Sequence, residues 1–415
     1  MHDAGSISGA NLAAVLTLNA YEELNKSCIW KSTKPGEETM MFQINVDDFA
    51  IIYDPTSGDL SRLKSVLDSV GYGFTIEDTN NTSVDFCGIQ ITHDIKTHAV
   101  SKSMQQYRKR KLKEFGFEHC IPEEHPYKHT DKDFKKAGKQ TATPEDDSPK
   151  ATTAQLAEIQ AKLGSLRWLI DCVMPELKLA LERLAARLGN PTIQLLEAID
   201  HLWRYIAHPD RANPCIVYTP QIMQLGVFSD ASFSSESRSR SRAGGIIFVG
   251  ELNQENTPVS SPIAVVSEVI KGVCDSAAEA EYMAVHSIMK AAVPIKYLLE
   301  DMGYKQNPVI HRCDNQCAVG LANNTVNDKR TKHIHRKVHW VQDQVAQSIF
   351  KVIWEKGTTN CADYMTKEMN TESHRKMIDI FGRQCDIHGI ALPKSQLAKS
   401  STKAEGVLGD SDRIE

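Results

Sequence analysis

Leu225-Gly226-Val227-Phe228-Ser229-Asp230-Ala231-Ser232-Phe233 sets one acid inside a stretch otherwise suited to a buried strand. An uncompensated carboxylate there would cost several kcal/mol, so Asp230 requires a metal ion, a basic partner or solvent. Taken alone, an edge strand that turns Asp230 to water answers the requirement equally well. Farther along the chain, three more acids stand where a helix or a strand would place them deliberately.

Ser276-Ala277-Ala278-Glu279 has the S-x-x-E spacing of a capping box, which gives Glu279 a sufficient task at a helix start. Glu281 has no such task. On a 3.6-residue period it aligns with Val285, Ile288 and Ala292, an apolar stripe that would face a sheet, whereas Glu279 aligns with Met283, His286 and Lys290. Glu281 is therefore the expected functional acid and Glu279 the fallback. Pro308-Val309-Ile310-His311-Arg312-Cys313-Asp314-Asn315 predicts a strand ending in Asp314, and strand ends are where open α/β sheets place ligand-binding groups. Capping the next helix is the plainer task for that acid. Ser348 to Glu355 alternates as another strand, and Asn360-Cys361-Ala362-Asp363 opens a final helix whose dipole would also suit Asp363. One explanation covers all four acids. Carboxylates from separate elements can hold two divalent ions about 4 Å apart, one activating water and one stabilising a leaving oxygen.

The chain has 415 residues, long enough for two or three units with separate cores. Apolar content of 41% and charged content of 24% are those of ordinary globular protein and argue against a wholly disordered chain. With 48 Lys and Arg against 53 Asp and Glu the net charge is -5, so nucleic acid would have to be met by local clusters. Ten cysteines are scattered without a CxxC pair, which favours a reducing compartment over a disulfide scaffold. No apolar run reaches the roughly 18 to 20 residues of a membrane span, and the first residues do not read as a signal peptide.

Residues 1–127 read as a helix-on-sheet layer. Its parts are a helix near Ala10 to Glu23, strand-like runs on either side of Asp47-Asp48, a helical period through Leu60, Leu63, Val66 and Leu67, and alternation from Val84 to Ile91. Residues 128–155 lack an apolar period and read as a linker. Leucine-rich stripes over 156–220, punctuated by Pro175 and Pro191, predict three connector helices. Strands and helices alternate over 221–384, and 385–415 reads as a disordered tail.

In this order, SDASF, RSRAGG, DSAAEAEYMA, CDNQCAVGLANN, DKRTKHIHRKVHW and TTNCADYMTK resemble the ribonuclease H segment of copia-type LTR retrotransposon Pol polyproteins, over about Gln221 to Phe381. Asn45-Val46-Asp47-Asp48 resembles the Y-V-D-D box of reverse transcriptases, with Asn in place of Tyr. Phe86-Cys87-Gly88-Ile89 resembles the primer-grip hairpin that follows that box, and Leu163 to Leu169 with Leu202 to Ile206 resemble the copia-type connector. The resemblance implies an α/β chain in three parts: an α+β palm and thumb remnant, a helical connector, and a ribonuclease H-like mixed five-stranded sheet flanked by helices. It implies that Asp230, Glu281, Asp314 and Asp363 are catalytic ligands of Mg2+ or Mn2+, acting on the RNA strand of RNA:DNA hybrids. A tRNA primer and other parts of the retroelement polyprotein would be further partners, in the cytoplasm, a virus-like particle or the nucleus.

The expected nucleic-acid contacts are Arg238, Arg240 and Arg242 between two strands, Asn315, Lys332, and Arg108 and Lys109 within the basic stretch Tyr107 to Lys113. Solvated charge explains the same basic residues. Many ribonucleases H carry a histidine shortly before the last acid, where Gly357-Thr358-Thr359 stands here, a departure that bears on turnover rather than on metal binding. His333, His335 and His339 read as a polar helix face, since no Cys pair completes a zinc site. The alternative to an enzyme is an inactive remnant that binds nucleic acid or serves assembly. An integrase or resolvase of the same superfamily would not explain the N-terminal hairpins and connector.

The family's polymerase also uses an acid on an earlier palm strand, upstream of the segment that Asp3 to Leu12 matches. Asp47 and Asp48 are thus expected to be a polymerase remnant, and DNA synthesis by this chain alone is not expected. Primer extension on an RNA template by the purified chain, abolished by Asp47→Asn, would overturn that expectation.

Overall fold

Tight turns set the first layer of the structure, a computed structural model that describes residues 11–36, 40–46, 48–54, 56–71, 75, 83–128, 146–219, 222–325, 334–381 and 383–384. An antiparallel sheet runs in the order β1 (Tyr21–Leu24), β2 (Ile29–Ser32), β3 (Met41–Asn45), β4 (Asp48–Ile52). Asn45 pairs with Asp48, which leaves Val46 in the hairpin turn at φ 57°. A first helix, α1 (11–18), and a second, α2 (Asp59–Ser69), supply Leu12, Leu16, Leu63 and Leu67 to a core with Tyr21, Trp30 and Phe42. The helix expected through Glu23 stops earlier. Ala20 takes a left-handed φ of 61°, and Tyr21 then enters the sheet.

The alternation from Val84 to Ile91 resolves into two strands, β5 (Ser83–Phe86) and β6 (Ile89–His93). Cys87 and Gly88 between them take φ of 56° and 79°, the pair of left-handed residues that a two-residue hairpin needs. β7 (Val100–Ser103) pairs with β6, and β8 (Pro214–Tyr218) pairs with β7 on its other side. A last short strand, Arg383–Gln384, extends this sheet beyond β8.

Between β7 and β8 lie α3 (Gln105–Glu114), α4 (Thr153–Val173), α5 (Lys178–Ala185) and α6 (Ile193–Ala207). The leucine stripes predict the last three, and their buried faces form one core around Leu166, Ile170, Leu181 and Trp203. A capping box of Thr152 and Gln155 starts α4. Much of the expected linker, 129–145, lies outside the described residues. Its end is not loose, because the Asp146 carboxylate accepts from the side chains of Ser148, Thr192 and Arg187.

The third layer is the mixed five-stranded sheet, in the order β11-β10-β9-β12-β13. Its strands are β9 (Leu225–Glu236), β10 (Arg240–Val249), β11 (Ala264–Val269), β12 (Val309–Cys313) and β13 (Phe350–Trp354). The first three pair antiparallel, while β12 runs parallel to both β9 and β13. Helices α7 (Ala277–Asp301), α8 (Gln316–Ala322) and α9 (His335–Ala346) share a core with Val227, Ala231 and Ile247. A separate cluster joins Phe228, Ile246 and Phe248 to the 3-10 turn Cys361–Met365 and to α10 (Thr371–Phe381). Asp363 therefore lies in a 3-10 turn, and the final α-helix begins only at Thr371.

The described cysteines are free thiols apart from Cys215, which is disulfide-bonded and so departs from the expectation of scattered thiols. Among the described residues no helix is long and apolar enough to cross a membrane.

Close approach to the sheet depends on Gly244-Gly245. A Cβ on Gly244 would lie 2.5 Å from Thr366 Cγ2, and one on Gly245 would lie 2.5 Å from Ile288 Cδ1. Gly245→Ala is therefore expected to destabilise the protein by about 1–3 kcal/mol in urea unfolding, with part of the loss recovered when Ile288→Val is added. An unchanged unfolding midpoint would contradict this packing of α7.

Candidate active site

Asp230 sits in the middle of β9 and is 0% exposed. Gly244 pairs with it on β10, and Cys313 of β12 pairs with the preceding Ser229, so Asp314 emerges beside Asp230 as its strand ends. Trp354 Nε1 donates to the Asp314 carbonyl at 2.9 Å. Asp363 comes from the 3-10 turn, which Asn360 anchors by donating Nδ2 to the Ser229 carbonyl at 2.9 Å while its Oδ1 accepts from Ala362 N at 3.1 Å. Glu281, near the start of α7, is 8% exposed, and among the described residues its Oε2 has no hydrogen-bond partner.

The two glutamates of that helix have different surroundings. Glu279 N donates to Ser276 Oγ at 3.2 Å, and the Glu279 carboxylate accepts from Asp275 N at 2.9 Å, so this acid closes the helix start. Glu281 faces the other acids. One carboxylate oxygen from each of Asp230, Asp314 and Asp363 lies within 4.8 Å of the others, and Glu281 meets Asp314 and the Cys313 thiol within the same limit. Asp314 belongs to both groups. Hard divalent cations take carboxylate oxygens, and an unpartnered buried oxygen on Glu281 is the acceptor such a cation would satisfy, so the residues present fit the ion.

Two neighbours that the sequence reading did not single out complete the centre. Thr366 Oγ1 donates to Asp230 Oδ2. Lys367 Nζ lies 3.1 Å from Asp230 Oδ1 and 3.0 Å from Asp363 Oδ1. The signal for Lys367 was its place four residues after Asp363, the spacing of a local ion pair. Thr366 leaves no such trace.

The expected nucleic-acid contacts divide. Arg238 and Lys109 are exposed and Arg240 is half-buried. Arg242 and Arg108 are corrections, because both side chains turn into the protein. Arg242 is 0% exposed, with Nε donating to Glu236 Oε1 at 2.6 Å and Nη1 to Ser267 Oγ at 3.1 Å. Arg108 donates Nε and Nη2 to the Ile206 carbonyl at 3.0 and 2.7 Å, on the face of α3 that also buries Leu112. Asn315 caps α8 by accepting from Ala318 N at 3.0 Å. Lys332 and Asp47 lie outside the described residues. Asp48 Oδ2 accepts from Cys87 N at 3.2 Å and Asn45 Nδ2 donates to Cys87 Sγ at 2.7 Å, so the tips of the two N-terminal hairpins touch.

The chain is 25% identical over 340 residues to the retrovirus-related Pol polyprotein from transposon TNT 1-94 of Nicotiana tabacum, covering 82% of this chain and 24% of that protein. It is 29% identical over 241 residues to the counterpart from transposon RE2 of Arabidopsis thaliana, covering 56% of this chain and 16% of that protein. The chain is a homologue of plant-transposon Pol polyproteins. It spans about a quarter of the first relative's length and less of the others. No family model matches the chain.

Among solved structures, the foamy viral protease-reverse transcriptase in complex with RNA/DNA hybrid is 13% identical with a TM-score of 0.43, covering 84% of this chain and 37% of that chain. LC11-RNase H1 in complex with RNA/DNA hybrid is 13% identical with a TM-score of 0.26, covering 36% of this chain and 98% of that chain. At such scores the fold of the Pol homologue rests on its strand order, not on these likenesses.

Charge is costly in this centre. Burial first, then the Asp363 charge, push Asp230 well above the usual carboxylate range. Burial, then the charges of Asp230 and Asp314, push Glu281 up, and burial and Asp363 raise Asp314. A carboxyl raised in the folded state contributes its full stability below an unfolded value of about 4.3 and loses it as pH climbs toward the folded value. Glu281→Gln should therefore raise the thermal midpoint of the metal-free protein, by a margin that grows between pH 5 and pH 8. Each kcal/mol recovered corresponds to roughly 2–4 °C. An equal gain at both pH values would remove charge as the cause.

Proposed function

We propose that this chain is the reverse transcriptase to ribonuclease H part of a copia-type retrotransposon Pol polyprotein. Its C-terminal sheet domain would cleave the RNA strand of RNA:DNA hybrids with Mg2+ or Mn2+ held by Asp230, Glu281, Asp314 and Asp363. The convergence of those four acids, from a strand centre, a helix, a strand end and a turn, is the observation that carries the reading. Divalent ions bound there would supply an activated water and a counter-charge for the leaving oxygen.

The remaining work falls to the chain itself. Asp230 and Asp314 emerge from adjacent parallel strands, which fixes their spacing without cost at the moment of reaction. Asn360 holds the Asp363 turn against β9, and the packing of α7 on Gly245 holds Glu281. A protein nucleophile is not needed. Cys313, the thiol nearest the acids, is held well above its ordinary range by burial and by Glu281, so it stays protonated. Arg238, Arg240 and Lys109 would meet phosphates of the hybrid, with a tRNA primer and other polyprotein parts as further partners.

A second reading, a nucleic-acid-binding remnant without cleavage, is favoured by one observation. The turn Gly357–Thr359 lies against Asp314, with the Gly357 Cβ position 3.0 Å from Asp314 Oδ2, and brings no histidine there.

Incubating the chain with a labelled RNA:DNA hybrid and Mg2+ or Mn2+ separates the two. The expected result is cleavage of the RNA strand. Asp314→Asn should lower the rate by roughly a hundredfold or more, since even outer partners of a metal site are worth about 10–100-fold. A hybrid bound by both proteins and cut by neither would establish the second reading instead.

A further inference from the structure

We infer that Lys367 is a tethered cation that fills the Asp230–Asp363 side of the acid centre and makes its two divalent-ion subsites unequal. The inference rests on the metal-dependent reading above and deepens it. The acids form two groups that share Asp314: Asp230 with Asp363 on one side, and Glu281, beside the Cys313 thiol, on the other. The ammonium contacts the first side, at 3.1 Å from Asp230 and 3.0 Å from Asp363. On the second side, Glu281 Oε2 is buried and has no hydrogen-bond partner among the described residues.

Lys367 is not a surface lysine that happens to bend inward. Its side chain is 29% exposed, and its backbone is fixed on both flanks. Its own N–H donates to the Asp363 carbonyl at 2.9 Å, and the preceding Thr366 is fully buried with its hydroxyl on Asp230. The following Glu368 is paired with Arg183 from connector helix α5. The ammonium is thereby aimed at the two acids from an anchored segment.

Charge decides the order of filling. In the ionised form in which they would bind metal, four acids and one ammonium would carry three net negative charges, so a first divalent ion entering the Glu281–Asp314 side is favoured. A second ion with the ammonium still in place would turn the buried centre positive, so it must displace Lys367. The first ion therefore binds tightly and the second binds against a competitor that is part of the chain.

Counting bound Mn2+ by electron paramagnetic resonance during titration of the full chain tests this without reference to activity. Wild type should bind one ion tightly and a second at least tenfold more weakly. Lys367→Met should tighten the second ion tenfold or more, while Lys367→Arg should keep the inequality. The thermal midpoint of Lys367→Met without metal should fall, and Mn2+ should lift it by more than it lifts wild type. Two ions of equal affinity in wild type, or titrations unchanged by Lys367→Met, would overturn the inference. The wild-type titration stands even where the Met variant does not fold. Hybrid cleavage by a wild type with two equal ions would leave the proposed function intact and remove only the role of Lys367. Titration of wild type indistinguishable from Asp314→Asn, with no ion bound, would remove both.

Discussion

A carboxylate in the central strand of a five-stranded sheet is the constraint around which the C-terminal domain is arranged. β9 has a partner strand on each edge and packed side chains above and below, so the Asp230 carboxylate is covered from solvent. Its charge has to be answered from within. The answer arrives on the segment 360–367, and the sheet must let that segment come close. Gly244, directly opposite Asp230, provides the room: a Cβ there would lie 2.7 Å from Met365 Cβ. A residue without a side chain is thus required where the turn carrying Thr366 and Lys367 crosses β10. The glycine pair, the Asn360 tether and the apolar packing of Met365 serve one end, which is to hold neutralising groups against a buried acid.

That segment is also where the connector takes hold. Arg183 pairs with Glu368 and lies 3.6 Å from Glu236, which in turn accepts from the buried Arg242. Arg242 also donates to Ser267 Oγ, whose hydroxyl donates to the Met365 carbonyl at 2.6 Å. Farther along, His125 Nε2 lies 2.8 Å from the Met369 carbonyl, and Tyr205 O–H donates to His374 Nε2 at 2.7 Å. Burial drives His374 down to about 3, so the ring stays neutral and can accept. Buried ion pairs stabilise little by themselves, but removing one partner leaves a charge stranded and is costly. The connector is therefore tied to the segment that carries the acid centre, because its Arg183 pairs with both Glu368 and Glu236.

Local contradiction made part of this legible in the sequence. Asp230 interrupts an apolar strand, Glu281 interrupts an apolar helix stripe, and Asp314 ends a strand, so each acid stands out against its own neighbours. The connector helices were equally plain, since a leucine period needs no distant partner. Arg108 and Arg242 were misread for the opposite reason. A basic residue in a basic stretch looks solvated, and what buries these two is the Ile206 carbonyl and the Glu236 carboxylate, brought in by tertiary packing. Arg108 did carry a faint trace, standing one helical turn before Leu112 on the same face. The pairing of β7 with β8 had none, because the whole helical segment lies between them.

The N-terminal hairpins show how a position that looks degraded can be structurally satisfied. Asn45 replaces the tyrosine of the box it resembles, and its amide reaches the Cys87 thiol beside the Asp48 contact to the Cys87 N–H. A short side chain makes that tip-to-tip contact. Val46 is harder to account for on stability alone. It is β-branched, 83% exposed and held at φ 57°, a conformation that costs such residues of the order of 1–3 kcal/mol. Glycine or asparagine would make the same turn with less strain, and burial does not compensate the valine. The strain of this turn is thus left unanswered by the described residues around it, as is the buried Glu281 Oε2, which has no hydrogen-bond partner among them.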